Sequence, residues 1–95
     1  MENKIVLKFD KSTTRLAGNP YGKSVFRKQV SDKIDYGKIN TIIFPDHIEK
    51  VASSFTQGLF SEIINEVGYE GFNDVIMIKA KSPELEKRIY EDLIY

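Results

Sequence analysis

Residues 39–44 read I-N-T-I-I-F, and Pro45 follows directly. Proline has no N–H to give to a strand ladder, so it ends a strand at this point. The near-continuous apolar end of the segment predicts a central strand covered on both faces, since a strand with one wet face alternates apolar and polar residues. A strand of that kind needs other elements packed around it, and the flanking sequence provides them.

Downstream, Val51 to Gly68 reads V-A-S-S-F-T-Q-G-L-F-S-E-I-I-N-E-V-G. Phe55, Leu59, Ile63 and Val67 recur every four residues, so one face of a helix is apolar. Ser54 and Gln57 have the spacing of a capping box, and Gly68 stands where a left-handed C-cap residue is wanted. The linking D-H-I-E-K reads as a short connection that tucks Ile48 and Val51 under the helix.

Upstream, Lys4 to Phe9 predicts a first strand with Ile5, Leu7 and Phe9 on one face. A polar turn (D-K-S-T-T) follows, and Arg15 to Ala17 reads as a short strand or a loop. Asn19-Pro20-Tyr21-Gly22 signals a turn. Ser24 is the expected N-cap of a first helix, with Phe26, Val30 and Ile34 four apart and Val25 widening the stripe. Lys23, Arg27, Lys28 and Lys33 fall on its remaining surface, and Asp35-Tyr36-Gly37-Lys38 closes it.

After Gly68, Tyr69 to Asn73 reads as a loop and Asp74 to Ala80 as a mostly buried strand. Ser82-Pro83-Glu84 opens a last helix, with serine as N-cap, proline at the first helical position and an acid in the first turn. Leu85, Ile89 and Leu93 form its core stripe, widened by Tyr90 and Ile94. Strands alternating with helices predict an α/β fold. Residues 1–95 would form one domain, a single-layer mixed sheet of about four strands with about three helices and right-handed crossovers.

Composition narrows function. The 95 residues contain no cysteine and one histidine, which excludes disulfides and thiolate chemistry and argues against a metal site or other cofactor. No long apolar run precedes the first charges, so neither a signal peptide nor a membrane span is expected, and the cytoplasm is the expected compartment. Net charge is zero, yet residues 1–40 carry nine Lys/Arg against four Asp/Glu, and residues 41–95 carry five against ten. The split suggests a basic face for an acidic partner, and the alternative is a chance division of solvated helix faces. Binding of nucleic acid in general would need a larger basic excess and is disfavoured.

V-A-S-S-F-T-Q-G-L and K-A-K-S-P-E-L-E-K-R-I-Y-E-D-L resemble two stretches of the STAS domain of sulfate transporters and anti-sigma factor antagonists. The first is similar to the serine turn that a partner kinase phosphorylates in the antagonists, the second to their last strand and final helix. G-K-S-V-F-R-K-Q-V, I-I-F-P and S-S-F-T-Q-G-L-F resemble the "STAS-like" family of bacterial and phage proteins across most of residues 20–95. Phe44 stands where those relatives have an acid, and Gln57-Gly58 where they have an Asp-Glu pair. The resemblance implies a STAS-like fold and a non-catalytic regulatory module that binds a kinase-like or other regulatory protein. The alternative is a phage or mobile-element inhibitor that blocks a host defence protein such as a CRISPR nuclease.

Each candidate residue has a structural reading beside the functional one. Ser53 and Ser54 head a helix, whose dipole favours a phosphate added to Ser54, or one of the two serines simply caps it. Gly58 inside a helix admits a close neighbour, either a partner or the protein's own backbone. His47 stands beside Asp46 and Glu49 but lacks an accompanying nucleophile, so an ordinary loop histidine is the simpler reading. Glu62 and Glu66, one turn apart, read as a solvated face. Lys23, Arg27 and Lys28, with Tyr21 and Arg15, form the best basic-aromatic cluster. A contact surface running from His47 to Phe55 and along the Ser54 helix, with Gln57 and Gly58, is the expected protein-binding site, and exposed aromatics would allow a homodimer.

Overall fold

Right-handed crossovers decide the architecture. The computed structural model describes residues 3–93; Ile94, a predicted stripe position, lies outside the described residues. The elements are β1 (Asn3–Val6), β2 (Arg15–Leu16), α1 (Asn19–Val25) with a π-helical turn (Phe26–Val30), β3 (Asn40–Ile43), β4 (Lys50–Val51), α2 (Ser53–Val75), β5 (Ile76–Lys79) and α3 (Pro83–Asp92). β1, β3 and β5 form a parallel sheet in that order, with Ile5, Ile42 and Ile78 in one row. β2 and β4 form a separate parallel pair, Leu16 opposite Val51. The fold is therefore α/β with three helices as expected, while the strands divide three and two and every described pairing is parallel.

Strand order β1-β3-β5 means that both crossovers step in the same direction. Right-handed crossovers that step the same way place their helices on the same face of the sheet. Ile5, Leu7, Ile42, Phe44 and Ile78 are accordingly buried with Phe55, Leu59, Phe60 and Ile63 of α2. The opposite face is open, with Val6 and Met77 exposed. The expectation that the central strand is covered on both faces is met only in part: the outward Thr41 is buried and Ile43 half-buried, but among the described residues no helix packs on that side.

Helix boundaries also differ from the sequence reading. α1 begins at Asn19 with Pro20 in its first turn, so N-P-Y-G starts a helix instead of turning, and Ser24 lies inside it. Proline suits a first helical turn, where its missing N–H would have no partner anyway. α1 runs on into the π-turn, where the Ser31 N–H bonds back to Phe26 O. Val25, Phe26 and Val30 are buried as the spacing requires, and Ile34 is half-buried. In α2, Gly68 has φ 74° and ψ 168°, values open to glycine, and divides the element into two helical segments. The predicted loop Tyr69 to Asn73 is therefore helical. Phe72 holds it, packing edge-on against Phe60 at 5.3 Å.

α3 conforms to its sequence signals. Ser82 Oγ accepts the Leu85 N–H at 3.2 Å, and Leu85, Ile89 and Leu93 are buried. Its polar side chains also seal the outer edge of β5: Tyr90 Oη accepts the Ile78 N–H at 2.8 Å and Glu86 Oε2 accepts the Ala80 N–H at 2.9 Å. Gln29 performs the same service beyond β1, accepting from Lys8 N at 2.7 Å and donating to Lys8 O at 2.9 Å. Side-chain bonds of this kind blunt the β5 edge and the chain just past β1 against further strands.

Candidate functional site

Chains of parallel strands tend to carry ligand crevices outside the carboxyl ends of the strands. A groove lies at that end here, between the start of α2 and the face of α3 that runs from Ser82 to Asp92. Its walls include Glu49, Lys50 and Ser53 on one side and Ser82, Glu84, Arg88 and Asp92 on the other. α2 starts after Ala52, which makes no side-chain cap, so its first N–H groups have no side-chain partner from the N-cap, and Ala52 and Ser53 line the groove there. Ser53 is exposed at this point.

The predicted capping box does not form. Ser54 Oγ instead accepts the Gly18 N–H at 3.0 Å and ties the start of α1 to the start of α2. Gln57 is exposed and reaches toward Asp92 O at 3.5 Å, on the α3 side. Phe55 is fully buried, with ring centroids 5.4 Å from Tyr21 and 6.3 Å from Phe9. It is a core residue and offers no contact surface. Gly58 is buried where α1 crosses α2: a Cβ there would lie 3.0 Å from the carbonyl carbon of Asn19 and 3.1 Å from its Cα. The close neighbour that the glycine admits is the protein's own first helix.

His47 is half-buried, and its Nε2 lies 3.0 Å from the backbone carbonyl of Asp10. The ring joins two loops; its hydrogen-bond partner is neither Asp46 nor Glu49. Asp10 itself accepts from the Ser12 N–H at 3.0 Å and Ser12 Oγ at 2.9 Å, which holds its carboxyl below the usual range, with a smaller contribution from His47. Lys23, Arg27 and Lys28 are exposed, but Lys23 shares a shallow depression with Gln57 and the three do not line the groove. Tyr21 turns its ring to Phe9 and Phe55, so the basic-aromatic cluster is not assembled as a unit. Glu62 and Glu66 are exposed beside Tyr36, whose phenol is pushed up by burial and then by these two carboxylates.

Of the candidate residues named singly, Ser53 lines the groove, and the expected contact stretch from His47 to Phe55 also contributes Glu49, Lys50, Val51 and Ala52. Arg88 and Asp92 carry no such signal in the sequence. Burial pushes the Asp92 carboxyl up, Arg88 opposes the shift and Glu91 adds to it. A folded value above the unfolded one means that stability is lost as pH rises through that interval. Arg88→Ala should raise the Asp92 value further and widen the interval, readable as the side-chain carboxyl ¹³C titration. No movement of Asp92 would place Arg88 away from it.

No protein-family model matches this chain, and neither a curated protein nor a solved structure matches it.

Proposed function

We propose that this chain is a non-catalytic regulatory module that binds a protein partner through the groove between α2 and α3, switched by charge at Ser53. The observation that carries the reading is the exposed Ser53 at a helix start without a side-chain cap, with Lys50 and Arg88 on the same groove walls. A phosphate on Ser53 would lie at the positive end of α2 and add about two negative charges to the surface. Glu49, Glu84 and Asp92 give the unmodified groove both signs, which suits a polar polypeptide better than a small anion. The similarity of S-S-F-T-Q-G-L to the serine turn of STAS antagonists supports the same role. Ser54 is the less suitable position, because its hydroxyl already holds Gly18.

Affinity capture from the native host, with mass spectrometry of bound proteins, tests the reading. One regulatory protein should be retained by the wild type and by Ser53→Ala, and lost with Ser53→Glu. Retention indifferent to Ser53→Glu but abolished by Arg27→Glu would transfer the contact to the basic surface of α1. Recovery of a nuclease on those terms would support the inhibitor reading instead.

A further inference from the structure

The open face of the sheet carries a second site. Register places Lys4, Thr41 and Met77 in one outward row and Val6, Ile43 and Lys79 in the next. Val6 is 49% exposed and Met77 37%, and Ile43 is half-buried between them. The apolar ribbon thus runs across all three strands, and exposed lysines stand at its two borders. These six outward positions include no acid. Thr41 lies at the centre, 3% exposed, and its Oγ1 has no hydrogen-bond partner among the described residues.

Parallel sheets occur almost only with both faces covered. The same-direction crossovers put α1 and α2 on the first face and the buried residues of α3 join the same core, so among the described residues no helix covers the second face. Three strands spaced ~4.8 Å apart span ~10 Å, which is the width of one α-helix with its side chains. We infer that this face docks one amphipathic α-helix of a partner protein, with acids flanking its apolar stripe. The apolar stripe would cover Val6, Ile43 and Met77, and the acids would meet Lys4 and Lys79. Charge complementarity selects this occupant. A second copy presenting the same face would set lysine against lysine. The ribbon is aliphatic, without an aromatic ring on which a nucleobase could stack. The site stands on elements other than the groove and does not depend on it.

The test uses the full chain with ¹³C-labelled methyl groups and a helix-stabilised synthetic peptide of about five turns, leucines on one face and glutamates beside them. Saturable shifts confined to the Val6, Ile43 and Met77 methyls are expected, weakening as salt rises. Lys4→Glu with Lys79→Glu should weaken binding about tenfold or more, while Ser53→Glu leaves it unchanged. All of these positions are exposed, so the variants should keep the core methyl spectrum of the wild type. The inference is overturned by shifts in the groove alone, by equal binding of a scrambled peptide, or by no binding at millimolar peptide. It is equally overturned if the labelled methyls respond to phosphatidylserine vesicles or an oligonucleotide and not to the peptide. Self-association through this face, abolished by Met77→Lys, would also refute it.

Discussion

Gly58→Ala should unfold the protein or remove about 3 kcal/mol or more of its stability, the upper end of what overpacking costs. The reason lies in the crossing of α1 and α2. A Cβ at Gly58 would strike the Asn19 carbonyl oxygen and lie 3.0 Å from its carbon. Gly22 faces the same crossing from α1, where a Cβ would strike Phe55 O and lie 2.7 Å from Leu59 N. Both obstacles are backbone, so no side chain can swing aside. The helices would have to separate, and Val25, Phe26, Phe55 and Leu59 would lose their packing together. Gly37→Ala is the control, since its nearest neighbour is only the Asp35 side chain, at 3.3 Å. Thermal or denaturant unfolding should show a large loss for Gly58→Ala and Gly22→Ala and little change for Gly37→Ala. Equal small losses in all three would mean that the helices cross farther apart.

Asn40→Leu should cost about 3 kcal/mol or more, although it places an apolar side chain at a fully buried position. Asn40 Oδ1 accepts from Asn3 Nδ2 at 2.7 Å and from the Asp35 N–H at 2.9 Å. Its Nδ2 faces the carbonyls of Asp35, Lys38 and Val75 at 2.8, 3.1 and 3.0 Å. One amide therefore joins the start of β1, the turn before β3 and the end of α2. Leucine would leave the buried Val75 carbonyl unpaired and break the part-buried bonds to Asp35 and Lys38, and a buried group left unpaired costs about 1–3 kcal/mol. The Asp35 amide should also exchange faster with solvent in the variant. Unchanged exchange there, with stability within about 0.5 kcal/mol of wild type, would show that the network carries no weight.

The sequence disclosed elements whose signals are local. Ser82-Pro83-Glu84 predicted α3 with its cap, and the Phe55-Leu59-Ile63 spacing predicted the buried face of α2. I-N-T-I-I-F with Pro45 predicted the central strand. What it concealed depends on partners far along the chain. Ser54 looks like a cap for its own helix, but its hydrogen bond goes to Gly18, thirty-six positions away. Asn40 reads as an unremarkable strand residue until Asp35, Lys38 and Val75 surround it. Gly68 was recognisable as a stop, but Phe72 reaching Phe60 restarts the helix beyond it. The open sheet face was hidden for a related reason. Apolar content in β3 suggested two covered sides, and only the strand order shows that both crossover helices fall on one.

The candidate site follows the same division. Ser53 and Ser54 were legible as helix-opening serines, but which of them faces solvent depends on where Gly18 sits. Phe55 could not be separated from a surface aromatic without its ring partners Tyr21 and Phe9.

The most direct measurement on the central claim is the amide hydrogen-exchange footprint of the captured partner on this chain. Slowed exchange at residues 49–53 and in the first turns of α3, absent for Ser53→Glu, is the result expected of a protein-binding groove gated at Ser53. Unchanged exchange at both segments, with protection elsewhere on the chain, would contradict it.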